Sequence, residues 1–403
     1  MDDVARPVSP LCNSNIDRSV EANMASPAHN NWSPLPANML SLATETLDSI
    51  ATNLQWSSPE LTRFMLVCRR TAGVAERVRY SSLIISGGQG RRILATLLSG
   101  TRASDRYCSL VYRLWYRGWA DTEMHLNASL LAETLPLLSN LAAIWLDANP
   151  IDAVHMMNRM KKTGMVRECI HPAFAMADMR DSEPCSLWTI PKLEYVRLTG
   201  DPVLAGLTWH RRLVSLEIAH VLDHDELANF LSGAENTLLG DALETLSLKL
   251  SKSISVSIAF PLIGDTFPHL RNFSIEQTCL PIKDILVKLA TPVSSFPRLR
   301  TLAMNRVYSY EIPRWGSVFP FEGFPLADLE RLLSRIADLH RSLYLIGLGA
   351  ALYELDEHGR FIRKNALYPV AKRWTSILGV NLEIEKFVGL SLVYEPRPIG
   401  RDE

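Results

Sequence analysis

The sequence predicts an α/β chain in which a short all-α segment precedes an α/β solenoid whose curved parallel sheet grows by one strand per repeat. Three observations carry that expectation. A pattern L-x-x-L-x-L, with Val, Ile, Phe, Met or Tyr substituting, recurs from Leu141 to Leu343. Stretches with helical spacing, such as Asp225 to Leu231 and Asp328 to Leu339, lie between its copies,. Ahead of both, Leu42 to Tyr80 reads as three short helices with more apolar surface than so few residues can cover.

Residues 1–36 carry Pro7, Pro10, Pro27, Pro34 and Pro36 among Ser, Asn and Asp, with little to bury, and are expected to be a disordered leader,. The helical unit is placed at 37–82, the repeat domain with its C-terminal cap at 83–394 and a tail at 395–403. In the helical unit Leu47, Ile50, Ala51 and Leu54 fall at i, i+3, i+4 and i+7, an amphipathic stripe,. Ser58-Pro59-Glu60 starts a second helix with a hydroxyl cap and a proline in its first turn; Leu61, Met65, Cys68 and Ala72 then repeat at helical spacing,. Phe64, Leu66 and Val67 fill the other flank. About 40 residues cannot build a self-sufficient core without disulfides, metal or a partner. A second polypeptide covering Leu42, Leu47, Ile50, Leu54, Leu61, Phe64, Leu66 and Val67 is the expected remedy. A helical cap on the following domain, with no partner, is the alternative.

These residues resemble an F-box, whose pattern runs Leu-Pro-x-Glu-Leu-Leu-x-x-Ile, then Asp-Leu, Val-Cys-Arg and a final Leu-Tyr. Matching positions are Leu42, Glu45, Leu47, Ile50, Leu54, Leu61, Val67, Cys68, Arg69 and Tyr80; Ala43, Thr46, Glu60 and Arg79 depart from it.

Tyr80 to Ser86 reads as a strand ended by Gly87-Gly88-Gln89-Gly90, with a helix from Arg91. The L-x-x-L-x-L copies then start at Leu141, Leu193, Leu213, Leu243, Leu270, Leu299 and Leu343, with a looser one at Val111. The gaps are 30, 52, 20, 30, 27, 29 and 44 residues. Most fit a leucine-rich repeat of ~20 to 29 residues, and the longest suggests a degraded strand near Met165 to Ile170,. Ile190-Pro191-Lys192-Leu193, Phe267-Pro268-His269-Leu270 and Phe296-Pro297-Arg298-Leu299 are near copies of one another. Each such unit buries its leucines only by stacking on its neighbours. Leu352–Leu355 and Arg360–Arg363 flank Asp356-Glu357-His358-Gly359 as a hairpin,. A helix near Tyr368 to Leu378 and a strand within Leu382 to Tyr394 would complete a cap.

An F-box-like segment followed by leucine-rich repeats is the layout of substrate receptors in cullin-RING ubiquitin ligases, and the chain resembles the large, divergent F-box proteins of fungi. The resemblance implies that the helices dock on a Skp-type adaptor, and through it a cullin, while the repeats hold an unidentified target protein. It implies no catalysis. A leucine-rich scaffold without a ligase role is the rival reading.

Period-two alternation sends alternate residues of each strand outward. The bulky outward residues Arg113, Trp115, Arg117, Trp145, Tyr195, Arg197 and Glu217 crowd the first strands, and aromatic and arginine side chains are over-represented in interface hot spots,. The target is therefore expected to anchor there. Burial of Trp115 and Trp145 under a loop or against the helical unit is the competing expectation.

The 42 basic and 43 acidic residues leave a formal charge of −1, so no global field draws the chain to nucleic acid or an anionic membrane,. No apolar run approaches the ~18 residues of a membrane span, and residence in the cytoplasm or nucleus is expected,. Six scattered cysteines suit reduced thiols, and Cys68 is expected to be buried inside a Val-Cys-Arg helix,. The dispersed histidines suggest neither a metal nor a catalytic centre, and no cofactor is expected,. Gly88-x-Gly90 has Ile93 at the third glycine position of a dinucleotide-binding turn and reads better as an interdomain turn,.

Overall fold

The computed structural model describes residues 42–54, 58–118, 124–166, 190–235, 237–277, 282–290, 296–305, 326–348 and 351–364. The leader, the helix and strand expected within 368–394 and the tail lie outside the described residues. Within them the chain is mixed α/β, with a single open sheet of 11 strands in sequence order.

Three helices come first: α1 (Thr44–Leu54), α2 (Ser58–Met65) and α3 (Arg69–Ser81). The second does not run on through Cys68 and Ala72. Cys68 is extended (φ −162°, ψ 171°) and caps α3: its sulfur accepts from the Thr71 amide, and the Thr71 hydroxyl accepts from the Cys68 amide at 3.0 Å. The break has a packing reason. It folds Val74 and Ala75 back onto Leu61 and Phe64, which with Leu47 and Ala51 close a small core of their own. Cys68 is thus a half-buried cap rather than a buried helix residue, and hydrogen bonds with Thr71 hold its thiol below the usual range.

The strands are β1 (Ser82–Ile85), β2 (Arg113–Arg117), β3 (Ala143–Asp147), β4 (Tyr195–Thr199), β5 (Ser215–Leu222), β6 (Thr245–Leu250), β7 (Asn272–Gln277), β8 (Thr301–Asn305), β9 (Leu345–Leu348), β10 (Ala351–Leu355) and β11 (Phe361–Lys364). Neighbours from β1 to β9 pair in parallel; β10 and β11 turn back antiparallel as the expected hairpin, with Gly359 at φ 73° in its turn. β3 pairs directly with β4, Ala143 opposite Tyr195, so no strand stands between these two in the sheet. Of the strand expected near Met165 to Ile170, Met165 and Val166 lie in no strand, and residues 167–170 are outside the described residues.

Helices α4 (Gly87–Leu97) and α5 (Arg102–Leu110) join β1 to β2, α6 (Met124–Thr134) joins β2 to β3, and α7 (Pro150–Lys162) follows β3. Later connections carry α8 (His224–Ala234), α9 (Leu238–Ala242), α10 (Val256–Thr266), α11 (Ile282–Leu289) and α12 (Leu326–Leu339). The glycine run after β1 is the first turn of α4, not the end of a strand. Gly90 lies there so close to Ile85 that a Cβ would sit 3.0 Å from its side chain.

Sequence self-similarity has a hydrogen-bond counterpart. Two successive amides entering each strand from β3 to β9 converge on one carbonyl just ahead of the strand before: Ala142 and Ala143 on Tyr112, Glu194 and Tyr195 on Ala142, Val214 and Ser215 on Glu194, and likewise on to Tyr344 and Leu345 on Arg300. The near-copy phrases form equivalent turns, in which the Leu193, Leu270 and Leu299 amides donate to the carbonyls of buried Ile190, Phe267 and Phe296. His340 takes the equivalent place before β9, where its Nε2 meets the Leu289 carbonyl at 2.8 Å.

Alternate strand residues, Leu114 and Tyr116, Ile144 and Leu146, Val196 and Leu198 and their successors, face the helices across one continuous core, separate from that of α1–α3. Arg211 is buried in this region, its Nε donating to the Leu207 carbonyl at 2.9 Å and its Nη2 to that of Met165 at 3.3 Å. No described helix is long and apolar enough to cross a membrane.

Candidate docking surfaces

The helical unit divides its apolar residues between core and surface. Leu47, Leu61 and Phe64 are buried inside, and Leu42, Ile50 and Leu54 pack half-buried on that core. Val67 is also half-buried, and Leu66 is 68% exposed. The unit meets the rest of the chain through α3: Tyr80 stacks on Tyr107 of α5 at 4.2 Å, and Glu76 pairs with Arg106. Where α3 approaches α4, a groove of about 550 Å³ is lined by Arg79, Tyr80, Gly88, Gln89, Arg92, Ile93 and Thr96.

The second surface is the sheet face opposite the main core. Strand register sets Trp115, Trp145, Arg197 and Glu217 side by side across β2 to β5. Trp115 and Trp145 stack at 4.1 Å with planes 5° apart; the Arg197 guanidinium lies 4.2 Å over Trp145, and that of Arg117 4.9 Å over Trp115. Arg197 then reaches Glu217 at 3.4 Å. Flat π faces attract each other in offset and attract guanidinium planes, so each residue orients the next. Asp147 sits beside this row; burial raises its carboxyl above the usual range, against the pull of Arg117 and Arg197.

Depth varies along the row. Trp115 is only 3% exposed, Trp145, Arg197, Glu217, Tyr195 and Arg113 are half-buried, and Arg117 is exposed. Toward the far end Ala303, Leu345 and Leu352 bury one another in a small cluster on the same face. The accessible stretch therefore centres on β3 to β7, where Lys249 and Glu276 add an ion pair at 3.5 Å.

Beyond Glu217, β5 bulges between Ile218 and Val221. The bulge carries His220, whose two ring nitrogens are buried without a hydrogen-bond partner. His224 follows at H-x-x-x-H spacing, but it begins α8 while His220 belongs to the strand, so the two do not share a helical face. Burial pushes the His220 pKa down to about 4, against the nearby Asp201 carboxylate. The folded state thus keeps the ring neutral to about pH 4, while the unfolded chain takes up a proton near pH 6.5,. Stability is expected to fall by up to about 3 kcal/mol from this residue as pH drops from about 6.5 to about 4. Denaturant unfolding at a series of pH values checks it: His220→Phe should flatten that interval, and an equal loss in the variant would reject the assignment.

Sequence reasoning did not find the ladder as a stack, because alternation gives a residue's side and not its depth. Compared with protein-family models and with curated proteins, the sequence matches none.

Proposed function

We propose that the chain is a substrate-receiving subunit of an SCF-type cullin-RING ubiquitin ligase, with α1–α3 as an F-box-like module docking a Skp-type adaptor and the strand–helix array as leucine-rich repeats holding a target protein. One observation carries the reading. Among the described residues the helical unit closes a core of only six buried apolar side chains, yet leaves Leu66 68% exposed and Leu42, Ile50, Leu54 and Val67 only partly covered. Apolar surface left open on so small a unit is what a second chain would cover. Within the matching Val67-Cys68-Arg69, Cys68 supplies the cap from which α3 starts.

The accessible part of the Trp145–Arg197–Glu217 row is the proposed target anchor. A half-buried aromatic pre-oriented by its neighbours costs little entropy to immobilise. Arg197→Ala is expected to weaken target capture at least tenfold, while Glu276→Ala, farther along the face, changes it less than threefold. The comparison is made by quantitative co-precipitation of proximity-labelled targets, and the reverse order would reject the anchor. Co-purification with a Skp-type adaptor separates the receptor reading from that of a scaffold without a ligase role.

A further inference from the structure

Neither docking surface uses the buried carboxylate in the first turn of α7. Asp152 is 0% exposed. One of its oxygens meets His125 Nδ1 at 2.8 Å; the other accepts from Asn149 Nδ2 at 2.9 Å and from the Tyr116 hydroxyl at 3.3 Å. A carboxylate only accepts, so Nδ1 carries the hydrogen and the lone pair of the neutral ring lies on Nε2. That nitrogen is on the far side of a ring whose side chain is 60% exposed. Asn149 already caps α7 by accepting from the Asp152 amide, a structural role that makes no use of His125.

A second imidazole stands beside the first. The His125 and His155 ring centres are 5.4 Å apart with planes at 59°. His155 is exposed on α7, one turn after Ile151, itself 60% exposed. An Arg159–Glu133 pair at 3.1 Å ties the same two helices farther along, which fixes their spacing. With Zn–N bonds of about 2.0–2.1 Å, two imidazoles on one tetrahedral ion have ring centres about 5 Å apart. The pair is within a few tenths of an ångström of that separation.

We infer that His125 and His155 form an open site for a divalent transition metal of the zinc, cobalt or nickel type, with Asp152 as the positioning residue that fixes the His125 tautomer. A carboxylate behind a ligating histidine is the usual outer support of such a site, and imidazole ligands select these ions over magnesium or calcium. Among the described residues no group of three or more His, Cys, Asp or Glu could hold a metal ion, so the site they form supplies two protein ligands and leaves the other positions open. The two histidines are 30 residues apart in sequence, beyond the reach of any local spacing rule.

The test is titration of the metal-free full chain with Zn²⁺ by calorimetry and with Co²⁺ by visible absorption. One ion per chain is expected, with a Kd of about 10–100 μM, as befits half the ligands of a closed structural site. His125→Gln and His155→Gln should each weaken binding at least tenfold, and Asp152→Asn by ~10–100-fold, while His224→Gln leaves it unchanged. Absence of saturable binding, or binding that survives both histidine substitutions, would overturn the inference. If Asp152→Asn disturbs the fold by circular dichroism, the exposed His155→Gln variant decides alone.

Discussion

Replacing Ile50 and Leu66 together by aspartate is expected to weaken capture of a Skp-type adaptor at least ~100-fold while the chain stays folded. Leu66 is 68% exposed and Ile50 only partly buried, so two charges are tolerated in the isolated protein. In a complex both would be desolvated in place of side chains each worth about 1.5–3 kcal/mol when buried. Leu47→Asp is the wrong probe. Leu47 is 1% exposed inside the small core, and a carboxylate there would unfold the unit and mimic a lost contact. Co-purification of adaptor with the double variant, beside its far-ultraviolet circular dichroism, decides the matter. Retention of adaptor by the folded double variant would remove the docking face from the proposal, and a wild type that captures none would leave the scaffold reading.

Arg211→Met is expected to cost about 3–4 kcal/mol of unfolding free energy, the largest stability loss anticipated from a single polar side chain here. Burial pushes the guanidinium down to about 10, so it remains charged at neutral pH. Its donors hold the Leu207 and Met165 carbonyls, which belong to segments 42 residues apart. Methionine fills comparable volume but leaves both carbonyls facing apolar surroundings. Urea unfolding of the two proteins measures the difference, and a loss below about 1 kcal/mol would show that water replaces the guanidinium.

Much of the sheet was legible because its signal is local and repeated. In each L-x-x-L-x-L copy the strand begins two residues after the first apolar position, as Leu193 and Tyr195 or Leu270 and Asn272 show. The convergent amides at each junction explain that constancy, since the same entry geometry recurs whatever helix precedes it. The hairpin was legible from Asp356 to Gly359 for the same reason. Four features were not. The stop at Cys68 interrupts a periodic pattern that has no breaker residue, because closing the small core outweighed helix continuity. The long gap after β3 suggested an extra strand by arithmetic, whereas strands are counted by partners, and β3 and β4 are partners. The depth of Trp115 and the meeting of His125 with His155 depend on packing between elements, which residue spacing does not encode.

The reversal of β10 against β9 limits how such a gene can change length. Tandem duplication of a strand–helix unit inserts cleanly only where both new borders find parallel partners, a condition met between β1 and β9. Past β9 the next border is antiparallel, so an added unit would have to displace the hairpin. Gain or loss of units among descendants of this gene should therefore fall inside the array and spare its final turn-back.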